Sequence, residues 1–180
     1  SRLTAVTNAD ASTQSYSYNT ADQLASATDE LGKSVVLTYD QLGRNTAYTN
    51  RINAVEQTKF DAMSRPVQMI DAIGNVTDVT YDTRERVSTI GYPDPDGAGA
   101  LPRPIDVMVY DKNSNLLRRR NPDSTFVGEL RYKYDSENRL AGRSHSEYIV
   151  DNFGVDESVY ETYEYDHIGR LQKINAVKRD

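Results

Sequence analysis

The sequence of 180 residues contains no cysteine, no tryptophan and only two histidines. Without cysteine the chain forms no disulfide and has no thiol nucleophile, and two histidines alone argue against a zinc or other transition-metal site. No apolar stretch approaches the roughly eighteen residues that a membrane-spanning helix needs, and no signal peptide is recognisable. These absences predict a chain without a metal site and without a membrane span.

Apolar residues are scarce as well, because they make up 37% of the chain and the mean hydropathy is −0.71. Two facing sheets of this size would need more Val, Ile, Leu and Phe to fill the layer between them. The apolar content suffices for one face of a sheet whose other face is largely in water. Disorder is the alternative for so polar a chain. Regularly spaced turn sequences and thirteen tyrosines favour a folded structure instead.

The charge distribution disfavours nucleic acid as a partner. The net charge is −6, the isoelectric point is near 5.0, and the basic residues are scattered along the sequence instead of clustered. The one basic run, Arg118-Arg119-Arg120, falls on a predicted strand, whose successive residues face opposite sides. It therefore presents at most two charges to one side, and we interpret it as part of a solvated strand.

A six-residue pattern, Tyr39-Asp40-Gln41-Leu42-Gly43-Arg44, recurs in exact or worn form seven times. The first four copies are spaced 21 residues apart, and the later spacings are 29, 24 and 31. A period of about 20 to 50 residues indicates a repeat architecture. The copies begin at Tyr18, Tyr39, Phe60, Tyr81, Tyr110, Tyr134 and Tyr165.

A second turn sequence lies within each period, about eleven residues after the motif aromatic. Both turns begin with Asp or Asn, continue with two variable positions and end with Gly, Asn or Ser. This composition predicts a type I turn whose fourth residue has a positive φ, closing a short hairpin with a bulge. The second turns begin at Asp29, Asn50, Asp71, Asp94, Asn121 and Asp151, and a further one at Asn8 precedes the first copy.

The segments between the turns read as strands of six or seven residues with polar and apolar side chains in alternation. Val35, Leu37 and Tyr39 alternate with Ser34, Val36 and Thr38, and Tyr16 and Tyr18 show the same two-residue step. Side chains two residues apart on a strand share a face, so the tyrosines are expected on one face of a sheet. The sequence predicts an all-β fold in which the chain forms an antiparallel meander of hairpins.

The motif residues are predicted to be structural. In this hypothesis the aromatic residue and the aliphatic residue after the arginine form an apolar ladder, and the aspartate caps the turn. The arginine bridges carbonyl groups or stacks on the aromatic ring of the neighbouring repeat; the alternative is a solvated hairpin residue. The predicted motif residues are Tyr39, Asp40, Gly43, Arg44, Phe60, Asp61, Arg65, Tyr81, Asp82, Arg86, Tyr110, Asp111, Tyr134, Asp135, Arg139, Leu140, Tyr165, Asp166, Gly169, Arg170 and Leu171.

The search for catalytic chemistry yields no candidate that the sequence supports. His167 occupies a variable turn position, and His145 stands beside two serines without a nucleophile elbow or a placed acid. The segment from Asp94 to Gly97 resembles the start of a calcium loop, but Leu101 and neighbouring residues stand where further oxygen ligands are needed. No glycine-rich phosphate loop is present. We predict no catalytic, cofactor or metal site, and no enzymatic activity.

The motif and its period together resemble the RHS repeat, also called the YD repeat, of bacterial Rhs polymorphic toxins, Tc-toxin shell components, wall-associated repeat proteins and teneurins. The resemblance extends from Arg2 to about Ile174. It implies a single curved or spiralling sheet that forms part of a hollow shell. In the toxins such a shell encloses a C-terminal toxic domain, which would make that domain and the flanking repeats the partners of this segment. A secreted or cell-surface location in a bacterium is favoured.

We further predict one continuous repeat array over residues 1–180, an internal piece of a longer protein, with longer loops at 92–104 and 144–154. Open strands at both ends predict edge-to-edge self-association. The alternative function is a module that binds carbohydrate or another cell-surface partner. Several copies are worn, as at Tyr18, which is followed by Asn19, and at Tyr110, where Asn115 replaces the arginine. Such variation is typical of a structural repeat.

Overall fold

The computed structural model describes residues 2–97, 103–120, 129–147 and 156–178, and this part of the chain contains fifteen β-strands and no helix. The strands are β1 Ala5–Thr7, β2 Thr13–Tyr18, β3 Leu24–Thr28, β4 Ser34–Tyr39, β5 Asn45–Thr49, β6 Val55–Phe60, β7 Pro66–Ile70, β8 Val76–Tyr81, β9 Val87–Gly91, β10 Ile105–Tyr110, β11 Leu116–Arg120, β12 Glu129–Tyr134, β13 Leu140–Glu147, β14 Asp156–Tyr165 and β15 Leu171–Lys178.

The chain divides into two compact units, Ser1–Thr77 and Asp78–Asp180. In the first unit, β1 to β7 follow one another in chain order, and each strand is antiparallel to the next. In the second unit, β8 pairs with β9 and the order continues in the same way to β15. The prediction of an all-β antiparallel meander is confirmed. The single array over residues 1–180 stays a prediction.

Because polar and apolar residues alternate along the strands, one face of the strands carries aromatic and aliphatic side chains and the other carries hydroxyl groups. Tyr16 pairs with Ala27 and Ala27 with Val35, so aromatic and aliphatic side chains stand together on one face. On the other face hydroxyl groups pair across strands, as between Ser17 and Ser26, whose Oγ atoms lie 2.7 Å apart. We call the first of these the tyrosine face. The expected alternation of polar and apolar residues therefore places the tyrosines on one side.

Burial is shallow. Among the described residues, Val79 is the one large hydrophobic residue that is buried, and most tyrosines are half-buried. Few side chains are fully buried because the apolar residues cover one face of a sheet and do not fill a layer between two sheets. Stability in such an array comes from contacts between neighbouring hairpins and not from a central core.

The turns have the predicted conformation. The backbone N–H of Gly43 donates to the carbonyl of Asp40 at 3.0 Å, the N–H of Asp40 donates to the carbonyl of Arg44 at 3.0 Å, and Gly43 has a φ of 80°. A register shift between Thr38 and Tyr39 marks the bulge. The second turn at Asp29 closes through the corresponding pair of bonds, with a φ of 74° at Gly32. The predicted turn and bulge are both present.

The predicted restriction of the fourth turn position to Gly, Asn or Ser was wrong. Ala11, Asp22 and Glu85 occupy that position with φ values of 67°, 64° and 63°. The turn's hydrogen bonds fix the backbone, and a residue with a Cβ then accepts the left-handed conformation at a cost of about 1 kcal/mol. The turn is therefore set by its first residue more than by its fourth.

The predicted loop at 144–154 begins too early, because Ser144–Glu147 is the last part of β13. Its alternating residues continue the pairing with β12, in which Ser144 lies opposite Arg131. The rest of that loop, the second turns at Asn121 and Asp151, and the middle of the loop at 92–104 lie outside the described residues.

Candidate functional site

The candidate site is the set of side chains at the turns that follow β2, β4, β6, β8, β10, β12 and β14. In every copy the motif aromatic is the last residue of its strand, and the turn starts at the next residue. At the copy beginning with Tyr39, the Oδ1 atom of Asp40 accepts the backbone N–H groups of Leu42 and Arg44 at 2.9 and 3.0 Å. The aspartate thus caps the turn, as the hypothesis expected.

The second carboxylate oxygen of the motif aspartate holds the motif arginine. The Nε atom of Arg44 donates to Oδ2 of Asp40 at 2.6 Å, and Nη2 lies 2.6 Å from the same oxygen. The same bond recurs in four other copies at 2.7 to 2.8 Å, namely Arg65 to Asp61, Arg86 to Asp82, Arg139 to Asp135 and Arg170 to Asp166. The aspartate therefore links the turn backbone to a fixed guanidinium.

These hydrogen bonds stabilise the charged form of the carboxylates. The side-chain bond from Arg44 and the backbone N–H groups of the turn lower the pKa of Asp40 below its ordinary value. The pKa of Asp82 is lowered in the same way by Arg86. At Asp61, Asp135 and Asp166 the backbone N–H of the following arginine is the larger cause of the lowered pKa, and the guanidinium comes second.

The remaining nitrogen of the arginine reaches forward to the next repeat. The Nη1 atom of Arg44 donates to the backbone carbonyl of Asp61 at 3.0 Å, and its guanidinium carbon lies 4.8 Å from the ring centre of Phe60. Arg86 does the same, with 3.0 Å to the Asp111 carbonyl and 4.5 Å to the Tyr110 ring. The arginine both bridges a carbonyl and stacks on the neighbouring aromatic. The alternative of a solvated hairpin residue is wrong for these two arginines.

The hydroxyl of the motif tyrosine reaches back to the previous repeat. It donates to the carbonyl of the residue after that repeat's arginine position, at 2.9 to 3.1 Å. Phe60 has no hydroxyl and lacks this bond. The bonds run from Tyr18 to Leu3, Tyr39 to Leu24, Tyr110 to Val87, Tyr134 to Leu116 and Tyr165 to Leu140.

In two worn copies an uncharged amide side chain takes the place of the arginine and forms the hydrogen bonds. Gln23 stands at the arginine position of the first copy, and its Nε2 donates to the carbonyl of Gly43 in the next repeat at 2.8 Å. Asn115 donates to Oδ2 of Asp111 and to Oδ1 of Asn138, both at 2.9 Å. When the copies are compared by sequence, both positions have lost the motif arginine. The structure shows that their amides keep a link to the following hairpin.

A second cluster of polar residues was missed by the sequence analysis. Asp106 is fully buried, and its Oδ2 accepts bonds from Nε of Arg119 at 2.7 Å and from the hydroxyl of Tyr92 at 3.0 Å. No hydrogen-bond partner reaches its Oδ1 within the described part of the chain. The bond to Asp106 raises the pKa of Arg119. Arg118, Arg119 and Arg120 are all exposed, as expected for a solvated strand, and Arg119 in addition forms an ion pair with the buried Asp106.

Arg103, shortly before β10, is bonded to residues at the end of β9 and just after it. Its guanidinium donates to the carbonyls of Tyr92 and Gly91, the latter at 2.9 Å, and forms an ion pair with Asp78. The available signal for this cluster was Asp106 itself, an acid within the otherwise apolar strand β10, because a charged residue is rarely buried without a partner.

The sequence analysis weighed two histidines for catalysis. His167 is exposed in its turn, and the side chain of His145 lies outside the described residues. Over residues 2–97, 103–120, 129–147 and 156–178, no group of three or more metal-ligating side chains is present. The same residues include no helix of the length and hydrophobicity that would cross a bilayer.

Comparison with known proteins places this geometry in a family. The Teneurin YD-shell family model matches residues 2–153. Among solved structures, the crystal structure of TcdB2-TccC3-Cdc42 has a TM-score of 0.70 at 20% identity, and TcdB2-TccC3 without its hypervariable C-terminal region has 0.69 at 21%. Each match covers 92% of this chain and 9% of the other.

A third structure, the Photorhabdus luminescens Tc holotoxin pore with the TccC3 mutation D651A, has a TM-score of 0.59 at 15% identity. That match covers 99% of this chain and 12% of the other, so the chain spans about a tenth of these proteins. At such identities the likeness shows the fold. A search of curated protein sequences found no match.

Proposed function

Because the chain belongs to the Teneurin YD-shell family, we propose that it forms part of the wall of a β-sheet shell, and that this shell encloses a C-terminal toxin domain of the same polypeptide. The structural role in a shell follows from the family and from the fold. Enclosure of a toxin domain goes further and is tested by the accessibility of that domain.

The observation that carries the proposal is that motif side chains link neighbouring repeats in both directions along the chain. Arg44 reaches forward to Asp61 while Tyr39 reaches back to Leu24, so a single repeat is tied to both of its neighbours. In the second unit Arg86 and Tyr110 join one pair of neighbouring repeats in both directions, since Arg86 donates to the carbonyl of Asp111 and Tyr110 donates to the carbonyl of Val87. Links of this kind suit a wall, because each hairpin is stabilised by its neighbours and not by a core.

The motif groups are also fully engaged with one another, which supports a role without catalysis. The guanidinium of Arg44 uses Nε and Nη2 on Asp40 and Nη1 on the next turn. Both oxygens of Asp40 accept hydrogen bonds from its own turn. A catalytic acid or base needs a polar atom that can reach a substrate, and we propose that this segment performs no reaction.

Secretion or display at the cell surface, in a bacterium, belongs to the same proposal. It is supported by the likeness to a Tc holotoxin pore from Photorhabdus luminescens. The proposed partners are flanking YD repeats and the enclosed domain. A cell-surface glycan or protein is the partner in the alternative function.

The test is protease protection in the complete polypeptide that carries this segment and its C-terminal region. We expect the C-terminal domain to resist a protease in the native protein and to be cut rapidly once the shell is opened with denaturant. The double variant Arg44→Ala, Arg86→Ala removes two forward-reaching arginines and should expose the C-terminal domain at a lower denaturant concentration. Arg170→Ala, at a side chain that is 75% exposed and bonds the aspartate of its own turn, is the matched control.

A C-terminal domain that is cut equally fast in the native and opened protein contradicts enclosure.

Titration of the 180-residue chain with cell-wall sugars tests the alternative function of a binding module. Millimolar or tighter binding that is insensitive to motif substitutions favours a binding module.

A further inference from the structure

A cavity of about 380 Å³ lies beside the second turn that begins at Asp71 in the first unit. Its volume is within the range of roughly 300 to 1,000 Å³ that is usual for small-molecule sites. Glu56 lies opposite Tyr48, which places the cavity on the tyrosine face. We call it the Glu56 cavity. Its lining residues all belong to the first unit and include Glu56, Thr58, Met69 and Thr77.

The carboxylate of Glu56 is an unpaired charge at this cavity. Within the described part of the chain, no hydrogen bond or ion pair involves its side chain. The neighbouring carboxylate of Asp71 differs, because its oxygens accept two backbone N–H groups of its own turn and the side-chain amide of Asn75 at 2.8 to 3.0 Å. The hydroxyl groups of Thr58 and Thr77 likewise have no partner among the described residues. The cavity therefore offers one uncompensated carboxylate and two free hydroxyl groups.

Two other copies carry an acid at the same position, four residues before the motif aromatic, and both acids bind an arginine. Asp106 accepts a hydrogen bond from Nε of Arg119 at 2.7 Å. Glu161 accepts one from Nη2 of Arg143 at 3.0 Å. A tyrosine hydroxyl also donates to each acid, at 3.0 and 2.6 Å. An acid at this position of the repeat is thus a guanidinium ligand wherever an arginine is within reach.

The copy that contains Glu56 lacks such an arginine. Arg119 and Arg143 each stand nine residues after their motif aromatic, on a strand that flanks the strand of the acid. The equivalent residues beside Glu56 are Tyr48 on β5 and Met69 on β7, which are uncharged and each 37% exposed. The acid is present, its cation is missing, and a cavity lies beside it.

We propose that the Glu56 cavity binds a guanidinium group on an aliphatic chain, as in an arginine side chain, from another molecule. A guanidinium forms two parallel N–H bonds to a carboxylate, and its remaining N–H groups can donate to hydroxyl oxygens such as that of Thr58. The ring of Tyr48 offers a surface for stacking. Met69 offers an apolar contact for the aliphatic stem.

The motif arginines show the same combination of carboxylate and ring within this chain. Nε of Arg44 donates to the Asp40 carboxylate at 2.6 Å, while its guanidinium carbon lies 4.8 Å from the ring centre of Phe60. Glu56 differs in being exposed, so water weakens its attraction for a cation. We therefore expect a dissociation constant on the order of 1 mM.

An NMR titration of the isotope-labelled 180-residue chain tests this site. N-acetyl-arginine methylamide represents an arginine of a polypeptide, and n-butylguanidine represents a small guanidine compound. We expect both to shift the backbone amide signals of Glu56, Thr58 and Thr77, and the tighter of the two identifies the source of the group. The matched amine, n-butylamine, should bind at least about fivefold more weakly. No shift at about 20 mM of either guanidine, or equal binding of n-butylamine, would overturn the proposal.

Three variants locate the site, with signals away from the cavity reporting an intact fold. Glu56→Gln should weaken binding of n-butylguanidine at least about tenfold, because it removes the charge and keeps the shape. Glu161→Gln is the matched control, since that acid is already paired with Arg143, and should leave binding unchanged. Tyr48→Arg supplies a cation opposite Glu56, as Arg143 does opposite Glu161, and should abolish binding. Binding that either Glu56→Gln or Tyr48→Arg retains in full contradicts the site.

Discussion

The two units of the chain use one motif in different settings. In the first unit the copies are evenly spaced, and no described residue is buried. In the second unit, insertions stretch the spacing, and Val79, Asp106 and Ser144 are buried. The motif contacts are nevertheless alike, since Arg44 and Arg86 both donate 3.0 Å bonds to the next turn's carbonyl. The contact between adjacent repeats is thus independent of their spacing, while the stretched unit adds a buried polar cluster.

The largest loss of stability is expected in the second unit, at the buried residue Asp106. Asp106→Ala should lower the free energy of unfolding by about 2 to 3 kcal/mol, because Arg119 and Tyr92 lose a buried partner. Urea denaturation measures the change. Glu161→Ala, which breaks the more exposed pair with Arg143, should cost about 1 kcal/mol or less. Equal losses in the two variants would mean that burial of Asp106 contributes nothing special to the second unit.

The motif arginines should behave alike in both units. Arg44→Ala and Arg86→Ala each remove a carbonyl bond and an aromatic contact, so each should cost about 1 to 2 kcal/mol in urea denaturation. Arg170, which is 75% exposed, contacts its own turn aspartate, and Arg170→Ala should cost only a few tenths of a kcal/mol. A loss at Arg44 as small as the loss at Arg170 would restore the view that the arginine is a solvated hairpin residue.

The contribution of the tyrosine hydroxyl to stability can be tested by removing it from two copies of the motif and by adding it to a third. Tyr39→Phe in the first unit and Tyr110→Phe in the second remove a bond of 2.9 Å each, and each should cost about 1 kcal/mol. Phe60→Tyr adds the hydroxyl that its copy lacks and should gain about 0.5 kcal/mol. Thermal unfolding of the three variants checks the expectation. If Phe60→Tyr is destabilising, then the backward bond is not a general feature of the motif.

Acid should weaken both units together. The motif aspartates, with Asp40 and Asp82 as examples, have pKa values below the ordinary 3.8 in the folded chain. A lowered folded pKa stabilises the fold at pH values above the unfolded pKa, and this contribution is lost as the pH falls through the folded value. The free energy of unfolding should therefore decrease below about pH 4. Asp40→Asn, which keeps a turn-capping oxygen as Asn19 does, should reduce the acid-dependent part. An unchanged pH profile in that variant would exclude Asp40 as a contributor.

The strands, turns and tyrosine face could be predicted because each depends on residues close in sequence. Asp40 and Gly43 specify their turn within four residues, and the two-residue step of Tyr16 and Tyr18 specifies a face. The left-handed residues Ala11 and Glu85 escaped prediction, because the hydrogen bonds of the turn and not the side chain impose their conformation.

The links between repeats were only partly predictable. Stacking of Arg44 on a neighbouring ring followed from the motif, whereas the amide substitutes Gln23 and Asn115 did not, since their partners lie in the next repeat at a distance that depends on strand register. The family-level conclusion needed the motif and the period together. Neither a lone turn nor a lone tyrosine would have specified it.

Local chemistry in the sequence determined that the chain forms antiparallel hairpins with aromatic residues on one face, because turn residues and alternation act over a few positions. Tertiary structure alone decided that Asp106 is buried against Arg119 and Tyr92, and that the amides of Gln23 and Asn115 reach the following hairpin. Those outcomes depend on which residues of distant strands come to lie side by side. Strand register sets that juxtaposition, and register is a property of the assembled sheet.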